Sequence, residues 1–253
     1  MPMLSPLPRR TAKTRRKARA LPPLAIAGAT VEARLAGVTV TALPEGALWV
    51  GDAKTLIVSD LHLEKGSAFA RRGQMLPPYD THATLMRLTA LAEAMQPDTI
   101  VSLGDSFHDG EGVVRLAPAD RMILGALMAR CDWVWIEGNH DSKAPGTLGG
   151  AVRDVLHLGA LVLRHEPSTA PSVGEIAGHL HPCARVSGRG RSVRRRCFAT
   201  DGERLVMPAF GAFTGGLNIC DEAFEPLFPH GAMALVLGKE RVLPAPPERL
   251  LND

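Results

Sequence analysis

The 253-residue sequence is poor in aromatic residues and in cysteine, and it has no long apolar run. Phe, Trp and Tyr make up only 4% of it, so an aromatic platform for stacking bases is not evident. The four cysteines form no CxxC pair, which argues against a zinc finger and against a disulfide-dense secreted domain. No apolar stretch approaches the ~20 residues that cross a bilayer, and no signal-peptide core follows the basic start. These absences favour a cytoplasmic protein with reduced cysteines.

The first 20 residues contain no acid, although they hold seven Lys or Arg side chains. The formal net charge of the whole chain is +3, so removing these seven charges leaves the rest of the chain at −4. Repelling charges with little apolar content cannot offset the entropy of ordering, so residues 1–25 are predicted to form a disordered basic arm. A solubilising end, a contact for nucleic acid phosphates and a transit peptide are three open interpretations of this arm.

Short apolar segments alternate with helical patterns up to about residue 165. Strands are predicted at residues 37–43, 55–59, 99–103, 133–136 and 160–164. Helices are predicted at residues 79–96 and 119–130. The alternation indicates an α/β arrangement with parallel strands. Later strands joined by glycine-containing turns are predicted at residues 183–199, 203–210 and 232–244. One domain of mixed sheet over residues 26–253 is favoured over two domains.

Side chains with oxygen or nitrogen donors follow the apolar strands in five places. They are Asp60 and His62, then Asp105, His108 and Asp109, then Asn139, His140 and Asp141, then His165, and finally His179 and His181. Ligand sites in α/β sheets form beyond the carboxyl ends of the strands, so these clusters are expected to converge at one rim. A single GD or NHD is more often a turn or a cap, but five such clusters in this order predict a functional site.

The stretch GHLHP, residues 178–182, places two histidines one residue apart. Side chains alternate in an extended segment, so His179 and His181 are expected to point to the same side, about 6 to 7 Å apart at their backbones. That geometry suits the holding of a ligand. A turn that carries two surface histidines is the alternative.

The motif order D-x-H, GD, GNHD, H and GHxH, between Leu56 and Pro182, resembles the calcineurin-like metallophosphoesterase superfamily. The runs LIVSDLHLEKG, GDSFHD, IEGNHD and GHLHP are similar to bacterial ligase-associated DNA-damage-response endonucleases of the PdeM type. The resemblance implies an α/β (α+β) fold, a four-layer αββα sandwich of two mixed sheets flanked by helices. It also implies phosphodiester hydrolysis in DNA repair, a functional association with a DNA ligase, a helicase and an exonuclease, and a homodimer.

The resemblance further implies a centre of two divalent metal ions. Asp60, His62 and His181 would complete the shell of the first ion, and Asn139, His165 and His179 that of the second. Asp105, at the end of a central strand, is the candidate bridge, because two cations about 3.5 to 4 Å apart need an anion between them. Oxygen and nitrogen donors without a thiolate fit Mn²⁺, the expected metal, or Fe²⁺ or Zn²⁺, and they suit Mg²⁺ and Ca²⁺ less.

Two residues of the GNHD run are expected to be catalytic. By resemblance, His140 faces the substrate and protonates the leaving oxygen, and Asp141 would orient or charge that imidazole. His108 is either an outer group of the site or a local turn residue.

Three departures and one basic run bear on the substrate. GDSFHDG has no Arg where protein phosphatases of the superfamily carry GDxxDRG, and Glu166 follows His165 where many relatives have glycine. Only thirteen residues separate His165 from His179, which leaves little room for a cap and suggests a site open to a polymer. The arginines expected to contact DNA phosphates, if not a solvated edge hairpin, are Arg185, Arg189, Arg191 and Arg195.

The leading hypothesis is a metal-dependent phosphodiesterase that acts as a DNA endonuclease. A small-molecule phosphodiesterase or nucleotide pyrophosphatase built on the same metals is the enzyme alternative. A non-catalytic binding scaffold is the third reading, and it is disfavoured because the chain keeps every ligand and the GNH histidine.

Overall fold

The structure, a computed structural model, describes residues 24–141, 145–188 and 191–253. Nearly all of the predicted basic arm lies outside these ranges, and so does Arg189. Within them, two β-sheets pack face to face and α-helices cover one of the two. None of the described helices combines the length and the apolar character that a membrane crossing requires.

The first sheet contains eight strands within the described ranges. In chain order these are β1 (Ala25–Ala27), β2 (Thr30–Leu35), β3 (Val38–Ala42), β4 (Leu48–Val50), β5 (Thr55–Ser59), β6 (Thr99–Leu103), β7 (Asp132–Ile136) and β8 (Ala151–Arg153). Strands β1 to β5 pair antiparallel and β5 to β8 pair parallel. The helices α1 (Lys65–Arg71) and α2 (Asp80–Met95) connect β5 to β6, and α3 (Gly112–Arg115) and α4 (Pro118–Met128) connect β6 to β7. Parallel pairing requires such crossovers.

The second sheet is formed by the later part of the chain. Its strands are β9 (Val155–Leu158), β10 (Leu161–Arg164), β11 (Glu175–Ala177), β12 (Cys183–Gly188), β13 (Arg191–Thr200), β14 (Arg204–Val206), β15 (Met233–Leu237), β16 (Val242–Ala245) and β17 (Leu250–Leu251). They lie in the order β16-β15-β13-β14-β11-β10-β9, and β12 pairs with β13 and β17. Among the described strands of this sheet, β10, β11 and β14 run parallel to one another and the other pairs are antiparallel.

Aliphatic side chains fill the space between the two sheets. Val101 and Leu103 from β6 meet Leu163 and Ile176 from the second sheet in one buried cluster. A second cluster joins α2 and α4 to the other face of the first sheet. Strand β5 is therefore covered on both faces, and all five of its residues are buried, as expected for a parallel strand between two layers.

The predicted sandwich of two mixed sheets is confirmed, with one difference in its outer layers. All of the described α-helices lie on the first sheet, because they belong to its parallel crossovers. The outer face of the second sheet is covered by Ile219, Phe224 and Leu227, in a segment whose only helical part within the described residues is a 3₁₀ turn at Glu222–Phe224. Antiparallel hairpins need no helical connection, which explains the thinner layer.

The early elements predicted from the sequence match β3, β5, β6, β7, β10, α2 and α4 to within two residues at each end. The strand predicted at residues 203–210 is regular only at Arg204–Val206. Several short strands, among them β1, β2, β4, β8 and β11, were not predicted, because three to six residues carry little periodicity.

Candidate metal centre

The register of the two sheets brings the five polar clusters to one place. Ser59 pairs with Leu103 and Leu103 with Ile136, so β5, β6 and β7 end at the same level. In the second sheet, Arg164 pairs with Ala177, so β10 and β11 also end together. The clusters converge as predicted, but the rim belongs to both sheets and not to one.

Five of the candidate ligands have left-handed backbone conformations. Their φ angles are 52° at Asp60, 42° at His62, 44° at Asp105, 70° at His179 and 46° at His181. Such a conformation costs a non-glycine residue about 1–2 kcal/mol. Neighbouring loops hold it in place, since the His62 N–H donates to the Asp105 carbonyl at 2.9 Å and the Gly211 N–H to the Asp60 carbonyl at 3.1 Å. Strain concentrated in this way is typical of functional sites.

The GHLHP segment is not extended, so the expected alternation of its side chains is wrong. Strand β11 ends at Ala177, and the left-handed residues His179 and His181 turn the chain twice. As a result the two imidazoles lie in different side-chain groups.

The glycines of the motifs allow close approach between these loops. A Cβ atom at Gly104 would overlap the His165 ring, and one at Gly138 would overlap the backbone and carboxylate of Asp105. A Cβ at Gly178 would overlap the Ser59 hydroxyl and the Asp60 carboxylate. The glycines of GD, GNHD and GHLHP are therefore required where the polar side chains meet.

The first group consists of Asp60, His62 and His181, whose potential ligand atoms all lie within 4.8 Å of one another. The Asp60 Oδ1 lies 3.1 Å from the His181 Nε2, which in turn lies 3.3 Å from the His62 Nε2. Asp60 is fully buried, and its Oδ2 accepts a hydrogen bond from the Ser59 hydroxyl at 2.5 Å.

The second group consists of Asp105, His165 and His179, with Asn139 beside them. The Asn139 Oδ1 lies 2.9 Å from the His165 Nε2 and 3.0 Å from the His179 Nδ1, and these two nitrogens are 3.3 Å apart. The amide oxygen and the imidazole nitrogens thus surround one point. Because Asn139 is neutral, it adds a donor without adding charge.

Asp105 lies between the two groups. Its Oδ1 is 3.4 Å from the His165 Nε2 of the second group, and its Oδ2 is 3.8 Å from the His62 Nε2 of the first. One carboxylate therefore presents one oxygen to each group, which is the arrangement that a bridging ligand requires.

Burial and neighbouring charge set the protonation of these side chains. Burial lowers the pKa of His62 to about 3, against the pull of the nearby carboxylates. For His165, burial opposes the charged form, but the hydrogen bond to Asp105 and the charges of Asp60 and Asp105 outweigh it and raise the pKa to about 9. The pKa values of Asp60 and Asp105 are lowered in spite of their burial, because a hydrogen bond to His181 stabilises the Asp60 carboxylate and one to His165 stabilises the Asp105 carboxylate. The site thus holds two anionic carboxylates that attract cations.

His140 lies at the open side of this centre. Its backbone N–H donates to the Asp105 Oδ1 at 3.0 Å, and its ring Nε2 lies 3.9 Å from the Asp105 Oδ2. The ring Nδ1 lies 3.1 Å from the His108 carbonyl oxygen. The side chain is 44% exposed, so the ring can meet a substrate that arrives from solvent.

Asp141 lies elsewhere than the sequence suggested. Its Oδ2 accepts a hydrogen bond from the Phe107 N–H at 2.8 Å, and burial raises the pKa of the carboxyl to about 6. The carbonyl of His108 orients the His140 ring in place of Asp141, whose carboxyl holds the loop after β6. His108 itself packs against the site, with its ring centre 5.7 Å from those of both His62 and His140.

The predicted arginine hairpin is formed by β12 and β13, and Gly188 pairs with Arg191 across its turn. Arg185 donates to the Ser192 hydroxyl and to the Asn252 carbonyl, so its donors are partly engaged. Arg191 and Arg195 are exposed, and Arg189 lies outside the described residues. Phosphate contact by the four predicted arginines stays a prediction. The sequence assigned no binding role to Arg87, Lys239 or Phe213, because none of them belongs to a local motif.

Comparison with known proteins agrees with the fold. The model of the calcineurin-like phosphoesterase family matches residues 53–196. A solved structure, a Pseudomonas putida nuclease named MPE, is 27% identical with a TM-score of 0.65, and the match covers 85% of this chain and 100% of that one. A curated Arabidopsis thaliana relative, described as a probable inactive purple acid phosphatase 29, is 24% identical over 166 residues, 62% of this chain. The match spans only 42% of that relative's length. The family match extends over more than half of the sequence and includes all the strand ends described above: the chain belongs to the calcineurin-like phosphoesterase family.

Proposed function

We propose that the protein is a phosphodiesterase that cuts DNA internally and uses two divalent metal ions. The observation that carries this proposal is the position of Asp105, with one carboxylate oxygen near each of two groups of metal-binding side chains. The similarity to a bacterial nuclease supports DNA as the substrate.

The residues present fit such a pair of ions. In each group two imidazole nitrogens lie 3.3 Å apart, close enough for both to bind one metal ion. The donors are carboxylate, amide and imidazole groups, which suit Mn²⁺ best and also accept Fe²⁺ or Zn²⁺. When bound, the two ions would neutralise the phosphate charge and activate the attacking water.

His140 is proposed to move the proton of the leaving oxygen. The His108 carbonyl accepts a hydrogen bond from the ring Nδ1, so Nδ1 carries a proton and Nε2 is the atom that exchanges one. The exposed side chain lies beside the Asp105 carboxylate, with its Nε2 3.9 Å from the Asp105 Oδ2. Asp141 is a positioning residue, because it holds the loop from which the His108 carbonyl projects.

The test is cleavage of single-stranded circular DNA in the presence of Mn²⁺, Fe²⁺, Zn²⁺ or Mg²⁺. The purified protein should cut the circle, with Mn²⁺ most effective, and parallel preparations of the Asp105→Ala and His140→Ala variants should not. Equal cutting by all three preparations would identify the activity as a contaminant.

One observation favours a small phosphodiester as a second candidate substrate. A cavity of about 510 Å³ lies beside the second group and is lined by Asn139, His165, Arg164 and Ser168 among others. That volume accommodates a nucleotide. Turnover of cyclic nucleotides and dinucleotide polyphosphates beside DNA separates the two candidates, and a kcat/KM at least tenfold higher for a small substrate would favour the second.

The sequence resemblance supports a wider role, which we also propose. In it, a cytoplasmic homodimer cuts DNA during repair, together with a DNA ligase, a helicase and an exonuclease. Cells that lack the protein should then be more sensitive to DNA damage, and a copy with Asp105→Ala should not restore resistance. Normal survival of the deletion strain would contradict the repair role and leave the nuclease activity to its own test.

A further inference from the structure

Two neighbouring cavities lined by basic side chains lie near the candidate metal centre, and the pair is called the groove below. The larger, of about 530 Å³, is lined by Glu45, Arg87, Arg195, Arg196 and Lys239 among others. The smaller, of about 320 Å³, is lined by Arg194, Arg195 and Arg196 and by the loop at residues 213–216. Arg195 and Arg196 line both cavities, so the two lie side by side.

The groove has an excess of positive charge. Five of its lining side chains are cationic, and Glu45 is its one lining carboxylate within the described residues. Arg194 forms an ion pair with Asp253 at 3.2 Å. Among the described residues, no acid comes within 4 Å of the other four cations. Burial and the charge of Arg196 lower the pKa of Arg87 to about 10, so both guanidinium groups remain charged at neutral pH and repel each other. A bound anion would relieve that repulsion.

Two of the cations are held in fixed positions. The Arg87 guanidinium lies 4.2 Å from the centre of the Phe210 ring and donates to the Phe210 carbonyl. Arg196 donates to the carbonyls of Ala209 and Gly211 at 2.8 and 3.2 Å. Cations that are already ordered lose little entropy when an anion binds.

One glycine connects each cavity to the backbone of a candidate metal ligand. The Gly211 that accepts from Arg196 donates its N–H to the Asp60 carbonyl at 3.1 Å. At the other cavity, Gly216 lies so close to the His181 carbonyl that a Cβ atom would overlap it. Both cavities therefore lie near the backbone of a candidate metal ligand, and a polymer cut at the metal centre has them beside it.

An exposed aromatic ring lies at the wall of the smaller cavity. Phe213 is 51% exposed and has a left-handed φ of 57°. Hydrophobic burial does not account for this side chain, whereas an aromatic ring beside cationic side chains suits a base and its phosphates. The ring distinguishes a nucleic acid from other polyanions, which have no planar face to stack.

We propose that the groove holds the nucleic acid strand on one side of the cut, with phosphates on Arg87, Arg195, Arg196 and Lys239 and a base on Phe213. The proposal rests on the proposed DNA cleavage and extends it by assigning the residues that bind the strand outside the metal centre. It differs from the arginine set predicted from the sequence, of which it retains Arg195.

The first experiment removes two exposed cations of the groove, in the double variant Arg195→Ala/Lys239→Ala. Its matched control is Arg34→Ala/Arg130→Ala, which removes the same charge from two exposed arginines that line neither cavity. Binding of a labelled oligonucleotide is measured by fluorescence anisotropy at several salt concentrations. All proteins are full length, loaded with Mn²⁺, and carry His140→Ala to suppress cutting.

Each phosphate contact contributes about 0.7 to 0.9 to the slope of log K against log salt, so the groove variant should lower that slope by about 1.4 to 1.8. The control variant should leave it unchanged. Equal slopes for the two double variants would overturn the groove as the binding path.

The second experiment tests the ring. Phe213→Leu should weaken oligonucleotide binding about fivefold or more without changing the salt slope, because stacking is not ionic. Phe213→Tyr should restore the affinity, since it restores the ring. Equal affinities for the Leu and Tyr variants would overturn the role of the ring.

Hydrolysis of a small chromogenic diester separates this proposal from the proposed function. With His140 intact, the groove variants should hydrolyse the diester as the parent protein does, and should lose kcat/KM only on DNA. A parent protein that hydrolyses the diester but never cuts DNA would contradict the endonuclease proposal. A parent that cuts DNA, with groove variants that cut it equally well, would contradict the groove alone.

Discussion

The candidate metal centre and the arginine hairpin differ in the burial of their polar side chains and in the conformation of their backbone. At the metal centre, Asp60 and Asp105 are buried, their backbones are left-handed, and motif glycines let the loops approach one another. In the hairpin of β12 and β13, regular antiparallel backbone carries exposed arginines toward solvent. The constrained backbone fixes the positions of its polar side chains, whereas the regular hairpin leaves its arginines in solvent.

The largest contrast should come from removal of the candidate bridge. Asp105→Ala should lower kcat/KM by about 10³-fold or more on DNA and on a small diester alike, since loss of a single charge-stabilising group already costs about 10²–10³. Asp109→Ala is the matched control, because Asp109 is four residues away and pairs with Arg115. Steady-state kinetics with both substrates measure the effect, and a loss confined to DNA would assign Asp105 to binding.

His140→Ala should give the next largest effect. Loss of a proton-transfer group should lower kcat about 10²- to 10⁴-fold while the bound metal is retained, because the His140 ring is not among the two metal-binding groups. His157→Ala, in an exposed position on β9, serves as the control. Loss of metal from the His140 variant would place the ring among the ligands.

Substitution of one glycine in each region compares the metal centre with the hairpin by the free energy of unfolding. A Cβ at Gly138 would overlap Asp105, so Gly138→Ala should lower the free energy of unfolding by about 1–3 kcal/mol. A Cβ at Gly188 in the hairpin meets nothing within 4 Å among the described residues, so Gly188→Ala should change it by about 0.5 kcal/mol at most. Denaturant unfolding of the metal-free proteins measures both, and equal losses would show that the two regions are equally constrained.

The smallest effect should be a gain in affinity for DNA. Asp253→Asn removes the carboxylate that pairs with Arg194 at 3.2 Å and so makes the groove more positive. Oligonucleotide binding should tighten at low salt, while the unfolding free energy should change by no more than about 1 kcal/mol, as for other exposed ion pairs. Weaker DNA binding by this variant would contradict the attraction of DNA by the positive charge of the groove.

The same contrast explains what the sequence reveals. The candidate ligands follow strands with strong apolar patterns, so the clusters around Asp60, Asp105, Asn139 and His165 could be placed at the strand ends before the structure was known. Their order along the chain also carried the family resemblance. The left-handed turns at His179 and His181 could not be predicted, because the loops of both sheets impose them and no local pattern records them.

The basic groove was largely hidden for a different reason. Its residues come from separate elements, with Arg87 on α2, Arg195 on β13 and Lys239 after β15, and only the fold brings them together. Similarly, the contacts of Asp141 with the Phe107 N–H depend on loop packing over a distance of 34 residues. Long-range packing of this kind has no signature in a single sequence.

The central claim is that Asp105 joins two ion sites that His179 and His181 serve separately. Metal content measured by mass spectrometry on Mn²⁺-loaded protein tests it most directly, together with the electron paramagnetic resonance of the bound ions. We expect two coupled ions per chain in the parent, one uncoupled ion in His179→Ala and in His181→Ala, and none in Asp105→Ala. Two coupled ions in Asp105→Ala, or the full pair in either histidine variant, would contradict it.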